Sequence, residues 1–268
     1  MALSTITIGD VHVSRLIVGG NPFSGFSHQS LERDREMVRY YTTARIKSTL
    51  RRAEGLGINT FFGRSDHHIR RVLAEYWEEG GAIQWVAQTS PEYGMPSKSV
   101  TGAAQAGARA CYVHGGQMDW LLAQGLLAEV PPAIDMIRQA GMAAGIAGHN
   151  PAVFEWAERN LDVDFYMCSY YNPTTRDESP EHVPGAREWF VPPDRAAMVD
   201  LIAGLSRPAI HYKVMAAGRN DPREAFAFVA RHLRPQDAVC VGHYLGDKPT
   251  MLEENVQLLE ESLARVGD

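Results

Sequence analysis

The densest group of reactive side chains in the sequence lies in residues 59–73, NTFFGRSDHHIRRVL. An apolar run there is followed directly by Arg64, Asp66, His67 and His68. Carboxylate and imidazole side chains at the end of a buried strand can bind a divalent metal or transfer protons. The chemistry of this segment therefore depends on which elements hold it and on which other polar side chains lie nearby.

Eight short apolar runs, each followed by a helical pattern, account for most of the chain. The runs that predict strands are residues 16–20, 58–62, 83–87, 110–113, 143–147, 163–168, 209–214 and 238–242. Between them, apolar residues recur at three- and four-residue spacing, which indicates amphipathic helices. Alternating strands and helices pair in parallel, so the sequence predicts an α/β fold, a single (β/α)8 TIM barrel over residues 1–268. The opening TITIGDVHVS predicts a short N-terminal β-hairpin at the bottom of the barrel.

Barrel enzymes keep their chemistry where the strands end and the following loops begin. Each of the eight predicted strands carries a polar side chain at that end. In chain order these are Asn21, Arg64 with Asp66 and His68, Gln88, His114, His149 with Asn150, Tyr170 with Tyr171, Lys213, and His243 with Tyr244. A single strand-end histidine is more often a structural hydrogen-bonding residue, but several at equivalent positions predict a shared site at this rim.

One chemistry open to this rim is a divalent metal. Asp66, His68, His149 and His243 offer the carboxylate and imidazole ligands that suit Zn, Mn, Fe or Ni. Such an ion would polarise a substrate carbonyl or bind an enediolate. No tight local spacing such as HExxH supports the site, so the ligands would have to come from distant strands.

The alternative is acid–base chemistry without a metal. Lys213 follows an apolar strand, where burial would lower its pKa and let it act as a base or form a Schiff base. A salt bridge to Asp66 would instead make it structural. His68 and His114 are the candidate acid and base, and Tyr171 is a proton donor or a wall against which a sugar ring packs.

Two long segments are predicted to frame the rim, one after strand 1 (residues 23–42) and one after strand 6 (residues 174–195). Loops of this length are usually lids or binding loops, which Arg176, Arg187, Trp189 and Phe190 would close over a substrate. The alternative is a surface excursion packed on a neighbouring subunit, which leaves a homo-oligomer open. Arg219, before a helix after strand 7, would permit phosphate binding.

Composition excludes several classes of partner. The net charge is -6 with no basic block, so neither nucleic acid nor an anionic membrane is an expected partner. No apolar run could span a bilayer, and the first 20 residues lack the pattern of a secretory signal, which predicts a cytoplasmic protein. Cys111, Cys168 and Cys240 lie in apolar stretches without a CxxC pair and are predicted to be free, buried thiols.

Four segments resemble the aldo-keto reductase superfamily in their order along the chain. VSRLIVGGNPFSG is similar to that family's first strand, AEGLGINTFFGRSD to its second helix-to-strand passage, VDFYMCSYYNP to its sixth strand, and MLEENVQLLEE to its last cofactor-side helix. The resemblance covers most of the barrel. It implies hydride transfer from NADPH by a site of Asp, Tyr, Lys and His.

Most of that catalytic pattern is missing here. Gly63 stands where the resemblance implies the Asp, His68 where it implies the Tyr, and Gln88 where it implies the Lys. The implied His has a counterpart in His114. Gln88 is neutral and cannot lower a neighbour's pKa as a lysine does, so ordinary carbonyl reduction is not expected.

The implied cofactor contacts are changed as well. His149–Asn150 stands in the place of a Ser–Asn pair, and Met251 in the place of an Arg, while Glu254 and Asn255 remain. A divergent chain could still bind NADP and use His68 as a changed proton donor.

The sequence therefore predicts an enzyme that transfers protons, an isomerase, epimerase or lyase, acting on a small polar carbonyl or sugar-like substrate. The side chains expected to bind the substrate are Asn21, Arg64, Gln88, Asn150, Tyr170, Arg219 and Tyr244. The alternatives are an NADP-dependent reductase with an altered proton relay and a non-catalytic ligand-binding protein on the same scaffold.

Overall fold

The computed structural model describes residues 3–93 and 96–267. Eight parallel strands close into a barrel, which confirms the predicted fold. The barrel strands are β3 (Leu16–Gly19), β4 (Thr60–Arg64), β5 (Gln84–Gln88), β6 (Ala110–Val113), β7 (Ala143–Gly148), β8 (Phe165–Ser169), β9 (Ala209–Tyr212) and β10 (Ala238–Gly242). Their order around the barrel is β10-β3-β4-β5-β6-β7-β8-β9.

The helices cover the outside of the barrel. They are α1 (Leu31–Tyr40), α2 (Thr43–Gly55), α3 (His67–Glu78), α4 (Pro96–Gln105), α5 (Gly115–Ala123), α6 (Pro131–Gln139), α7 (Pro151–Asn160), α8 (Pro192–Gly204), α9 (Pro222–His232) and α10 (Met251–Gly267). Several begin with side chains that accept hydrogen bonds from free backbone N–H groups, such as Asp66 before α3 and Asp221 before α9.

Alternation along the strands divides the apolar side chains into two layers. Phe62, Tyr112 and Ile210 belong to a cluster inside the barrel, while Phe61 and Trp85 belong to the layer between strands and helices. The inner cluster fills the barrel as a packed core, so a ligand can reach only its ends.

The predicted N-terminal hairpin forms from β1 (Thr5–Ile8) and β2 (Val11–Ser14) and closes the bottom of the barrel. Ile8 and Val13 are fully buried and belong to the inner cluster. Gly9 adopts a φ of +58° at the turn, where a Cβ would lie 2.8 Å from that of Ala143. The opposite, C-terminal end of the barrel is therefore the one that the hairpin leaves open.

Strand β9 is shorter than the predicted run 209–214. It ends at Tyr212 because Lys213 adopts a left-handed conformation with φ of 56°, which no strand can continue. His211 points outward, where its ring contacts Asp237 and Tyr170, while Tyr212 points into the barrel. The prediction that His211 and Lys213 share one strand face is therefore wrong.

Candidate active site

A cavity of about 540 Å³ opens at the C-terminal end of the barrel. Its walls come from the ends of strands β3, β4, β5, β9 and β10 and from the loop after β3. Five residues that the sequence assigned to the site line it: Asn21, Arg64, Gln88, Lys213 and Tyr244. The structure therefore brings these five residues together around one cavity.

Lys213 lies at one wall of the cavity beside a residue that the sequence analysis did not select, His28. The Lys213 amine is 3.2 Å from His28 Nε2, and His28 Nδ1 is 2.7 Å from Glu188 Oε1. His182 Nδ1 lies 3.6 Å from the same carboxylate oxygen. His28 comes from the loop after β3, and His182 and Glu188 come from the loop after β8, so both long loops meet here.

Backbone strain accompanies this contact. His28 has a φ of 57° and Lys213 a φ of 56°, a region that non-glycine residues rarely adopt. Such strain persists only where the surrounding structure holds it, and it is concentrated at functional sites.

Burial governs the charge of this group. It lowers the pKa of Lys213 to about 8, against the opposing effect of Glu188, and lowers that of His28 to about 4. Burial alone would raise the pKa of Glu188, but the hydrogen bond from His28 and the neighbouring positive charges hold it at about 2. The carboxylate is therefore ionised at neutral pH and His28 is neutral.

A second group of hydrogen-bonded side chains, Asp119, His149 and Tyr212, reaches the cavity through Tyr212. The Tyr212 hydroxyl lies 3.1 Å from His149 Nε2, and His149 Nδ1 lies 2.6 Å from Asp119 Oδ2. Asp119 also accepts the backbone N–H groups of His149 and Asn150, at 3.0 and 3.2 Å. The short contact with Asp119 Oδ2 places the imidazole proton on Nδ1, so Nε2 is free to accept a hydrogen bond from the Tyr212 hydroxyl.

A glycine makes room for this group at the start of α5. A Cβ on Gly115 would lie 3.1 Å from both the Tyr212 hydroxyl and His149 Cε1. Burial lowers the pKa of His149 and raises that of Tyr212 well above its ordinary value. At neutral pH the phenol therefore holds its proton and the imidazole is neutral, which is the arrangement for proton donation from Tyr212.

The metal set expected from sequence is not brought together. Asp66 caps helix α3 by accepting the N–H of Ile69, and His68 lies exposed in the first turn of that helix. His149 is held by Asp119, and His243 is buried away from the cavity. Over residues 3–93 and 96–267, the group of His, Cys, Asp and Glu that could hold a metal is His28, His182 and Glu188, whose ligand atoms lie within 4.8 Å of one another.

Several other expected site residues lie outside the cavity. Tyr170 is buried against the helix layer, where its hydroxyl lies 2.9 Å from His211 Nδ1. The Tyr171 hydroxyl accepts a hydrogen bond from Asn220. Asn150 caps α7, and Arg219 donates to the His28 carbonyl and stacks on Phe190.

His114 directly follows β6, at the start of α5, and does not line the cavity. Its Nδ1 is buried without a hydrogen-bond partner, and burial together with Arg64 and His149 lowers its pKa well below the ordinary value. It is therefore neutral and lies behind the cavity wall.

The loop after β8 contacts the edge of the site mainly through side chains other than those expected. Arg187 and Trp189 stack on each other, with Trp189 half exposed, and Arg176 donates to the Glu181 carbonyl. Of the four residues expected to close over a substrate, Phe190 lies 6.0 Å from the Lys213 amine, measured to its ring centre, and Arg176 is near enough to contribute to the lowered pKa of Lys213. Glu188 makes the direct contact with His28.

Comparison with solved structures confirms the class of fold. A Pseudomonas aeruginosa protein provisionally described as an aldo-keto reductase is 18% identical, with a TM-score of 0.63 over 97% of this chain and 95% of its own. The holo form of an aldo-keto reductase from Bacillus halodurans is 14% identical, with a TM-score of 0.61 over 99% and 95% of the two chains.

The same barrel also carries other chemistry. A truncated 3-deoxy-D-arabino-heptulosonate 7-phosphate synthase from Thermotoga maritima is 12% identical, with a TM-score of 0.56 over 97% of this chain and 90% of its own. No protein-family model and no curated protein matches the chain. The chain therefore has the barrel fold of the aldo-keto reductases, and its activity has to be argued from its own side chains.

Proposed function

We propose that this protein is a divergent relative of the aldo-keto reductases that catalyses proton transfer on a small polar carbonyl or hydroxy-carbonyl compound. The activity would be that of an isomerase, epimerase or lyase. The observation that carries the proposal is the hydrogen-bonded chain Asp119–His149–Tyr212, which ends at the cavity one residue before Lys213.

Tyr212 is the proton donor in this proposal. Its hydroxyl would give a proton to the substrate oxygen and take one back from the neighbouring hydroxyl of the enediol, while Asp119 and His149 hold the phenol in position through their hydrogen bonds. Positioned acid–base groups of this kind contribute rate factors of roughly 10² to 10⁴.

In this proposal Lys213 and the polar side chains at the neighbouring strand ends bind the substrate. The amine would take the proton from the adjacent carbon or stabilise the negative charge that develops on the oxygen. Arg64, Gln88 and Asn21 present donors to hydroxyl or carbonyl groups of the substrate from three neighbouring strand ends. Polar side chains at the strand ends, above the apolar inner cluster, suit a small hydroxylated compound.

The test is solvent deuterium exchange. Small hydroxy-aldehydes, hydroxy-ketones and free sugars are incubated with the protein in deuterated buffer, and carbon-bound deuterium is followed by proton NMR. The wild type should exchange at least one compound, and Tyr212→Phe and Lys213→Met should each slow that exchange by about 100-fold or more.

Lys98→Met is the matched control, because Lys98 is exposed on α4 away from the cavity. It should exchange at the wild-type rate. Equal rates in Tyr212→Phe and the wild type would overturn the assignment. Saturable binding of a compound that never exchanges or reacts would instead support a non-catalytic binding protein.

An NADP-dependent reductase is the second candidate, favoured by the extent of the cavity. The cavity continues past Lys213 along the loops after β9 and β10 to Met251 and Asn255, and one solved neighbour of the same fold, 11% identical, was obtained in complex with NADPH. Fluorescence titration with NADPH separates the two candidates. Saturable micromolar binding with carbonyl-dependent NADPH oxidation would support the reductase.

A further inference from the structure

The contact between the two long loops consists of groups that are metal ligands in other proteins. His28 follows the first barrel strand, and His182 and Glu188 follow the sixth; His28 and Glu188 are 160 positions apart in the sequence. Their side chains are 13%, 12% and 3% exposed, so the cluster is largely withdrawn from water. Tyr212, His149 and Asp119 are not part of it.

Hydrogen bonding within the cluster is incomplete. Glu188 Oε1 is shared by His28 Nδ1 at 2.7 Å and His182 Nδ1 at 3.6 Å. The second oxygen, Oε2, is buried without a hydrogen-bond partner. A buried carboxylate oxygen without a partner costs free energy, and a ligand bound there would remove that cost.

We infer that His28, His182 and Glu188 form a divalent-metal site that ties the two loops together, with zinc as the ion that fits best. Two imidazoles and one carboxylate are a standard set of three protein ligands that leaves a fourth position open. The inference goes beyond the proposed function, because binding of the ion requires no turnover.

The geometry is close to that of a bound ion. The three ligand atoms lie within 4.8 Å of one another, whereas tetrahedral zinc with bonds of about 2.0–2.1 Å separates its ligands by about 3.4 Å. Side-chain rotations that move these atoms by roughly an ångström would complete the site. His28 lines the cavity, so an ion held there would lie at the cavity edge.

Lys213 is the charge that most directly opposes a cation here. Its amine lies 3.2 Å from His28 Nε2, and Arg176 is also near enough to act on the cluster, while Asp34 acts in the opposite sense on His182. Because Glu188 is the only carboxylate among the ligands, removal of the lysine charge should tighten zinc binding. A hydrogen-bonded cluster without a metal would not show this coupling.

The experiment measures zinc binding by the whole protein, purified without a histidine tag and stripped with a chelator. Competition against a chromophoric chelator should give one site per chain, with micromolar or tighter affinity. His182→Ala and Glu188→Gln should each weaken binding by about 100-fold, and Lys213→Met should tighten it by about tenfold.

His68→Ala is the matched control, since His68 is exposed on α3 and does not belong to the cluster. It should bind zinc as the wild type does, and circular dichroism should show every variant folded. Zinc should also slow hydrogen exchange in residues 174–191 of the wild type but not of His182→Ala. No binding below about 100 µM, or equal binding by His182→Ala, would overturn the site, and neither result bears on the deuterium exchange that tests the proposed function.

Discussion

Gly63 is a position where the packing of a neighbouring ring excludes a side chain. The resemblance to the reductases implies an aspartate at this position, which here lies inside β4 and lines the cavity. A Cβ on Gly63 would lie closer to the ring of Phe61 than van der Waals contact allows, and Phe61 is buried and stacked on Phe23. The packing of Phe61 therefore leaves no room for a carboxylate side chain at this position.

Gly63→Ala should lower the free energy of unfolding by about 1–3 kcal/mol, because the buried Phe61 ring would have to move. Urea unfolding measures the change. The control is Gly55→Ala at the end of α2, where a Cβ meets nothing within 4 Å. Equal stability of the two variants would show that Phe61 can adjust freely.

The sequence predicted some site residues and missed others for a physical reason. Lys213, Arg64 and Gln88 were found because a barrel brings strand ends together whatever the loops do. His68 was misplaced because Asp66 starts a helix, which turns the histidine outward. A capping aspartate directly before His67 was the signal that could have shown this.

The residues that were missed lie on loops or depend on a contact between distant elements. His28, His182 and Glu188 meet only after the two loops fold over the barrel, and no spacing in the sequence encodes that contact. Tyr212 could have been found, because alternation along β9 places it inside the barrel with Ile210. Asp119 could not have been found in this way, because its partner His149 lies 30 positions away in the sequence and on a different element.

At the scale of elements, periodicity was sufficient for the barrel but not for the ends of its strands. All eight predicted runs form strands, yet β9 stops at Tyr212 because Lys213 adopts a left-handed backbone conformation, which its residue type does not predict.

The loop before β10 is held against β9 by Asp237, which is fully buried and accepts hydrogen bonds from the N–H of Ala209 and the guanidinium of Arg234.

The hydrogen bonds of Asp237 should make the free energy of unfolding depend on pH. Burial would raise the pKa of Asp237, but His211 and Arg234 hold it below its ordinary value of 3.8. The folded pKa is therefore lower than the unfolded one, so the stabilisation is complete above about pH 4 and is lost as the pH falls through the folded pKa.

Asp237→Asn should cost roughly 3 kcal/mol at pH 7, because it leaves Arg234 without its charged partner. The difference from the wild type should shrink as the pH falls below about 4. Urea unfolding at pH 7, 5, 4 and 3 measures it, with Asp10→Asn at the exposed hairpin turn as the control. A difference that does not vary with pH would contradict the assignment.

At the scale of the whole molecule, the buried side chains of the N-terminal hairpin belong to the same apolar cluster as those inside the barrel. Ile8→Ala should lower the free energy of unfolding by about 2–5 kcal/mol and leave a single transition, because Ile8 packs in the inner cluster. Far-ultraviolet circular dichroism and tryptophan fluorescence should give the same midpoint. Thr5→Ala, on the exposed face of β1, should change little, and a separate early transition in Ile8→Ala would show that the hairpin unfolds alone.

The whole-molecule comparison separates fold from activity. Reductases and a synthase share this barrel, so the fold alone does not determine the reaction.

The three cysteines are free and buried as predicted. None of the helices in the described part of the chain is long and apolar enough to cross a bilayer.

Closure of the barrel between its first and last strands has a consequence for synthesis on the ribosome. Leu16 in β3 pairs with Val239 in β10, about 220 residues later. At 5–20 residues per second, the edge of β3 waits roughly 10 to 45 s for its partner after it has been made. During that time an apolar strand with unpaired backbone groups is exposed to other chains, so we expect the nascent protein to depend on chaperones until β10 emerges.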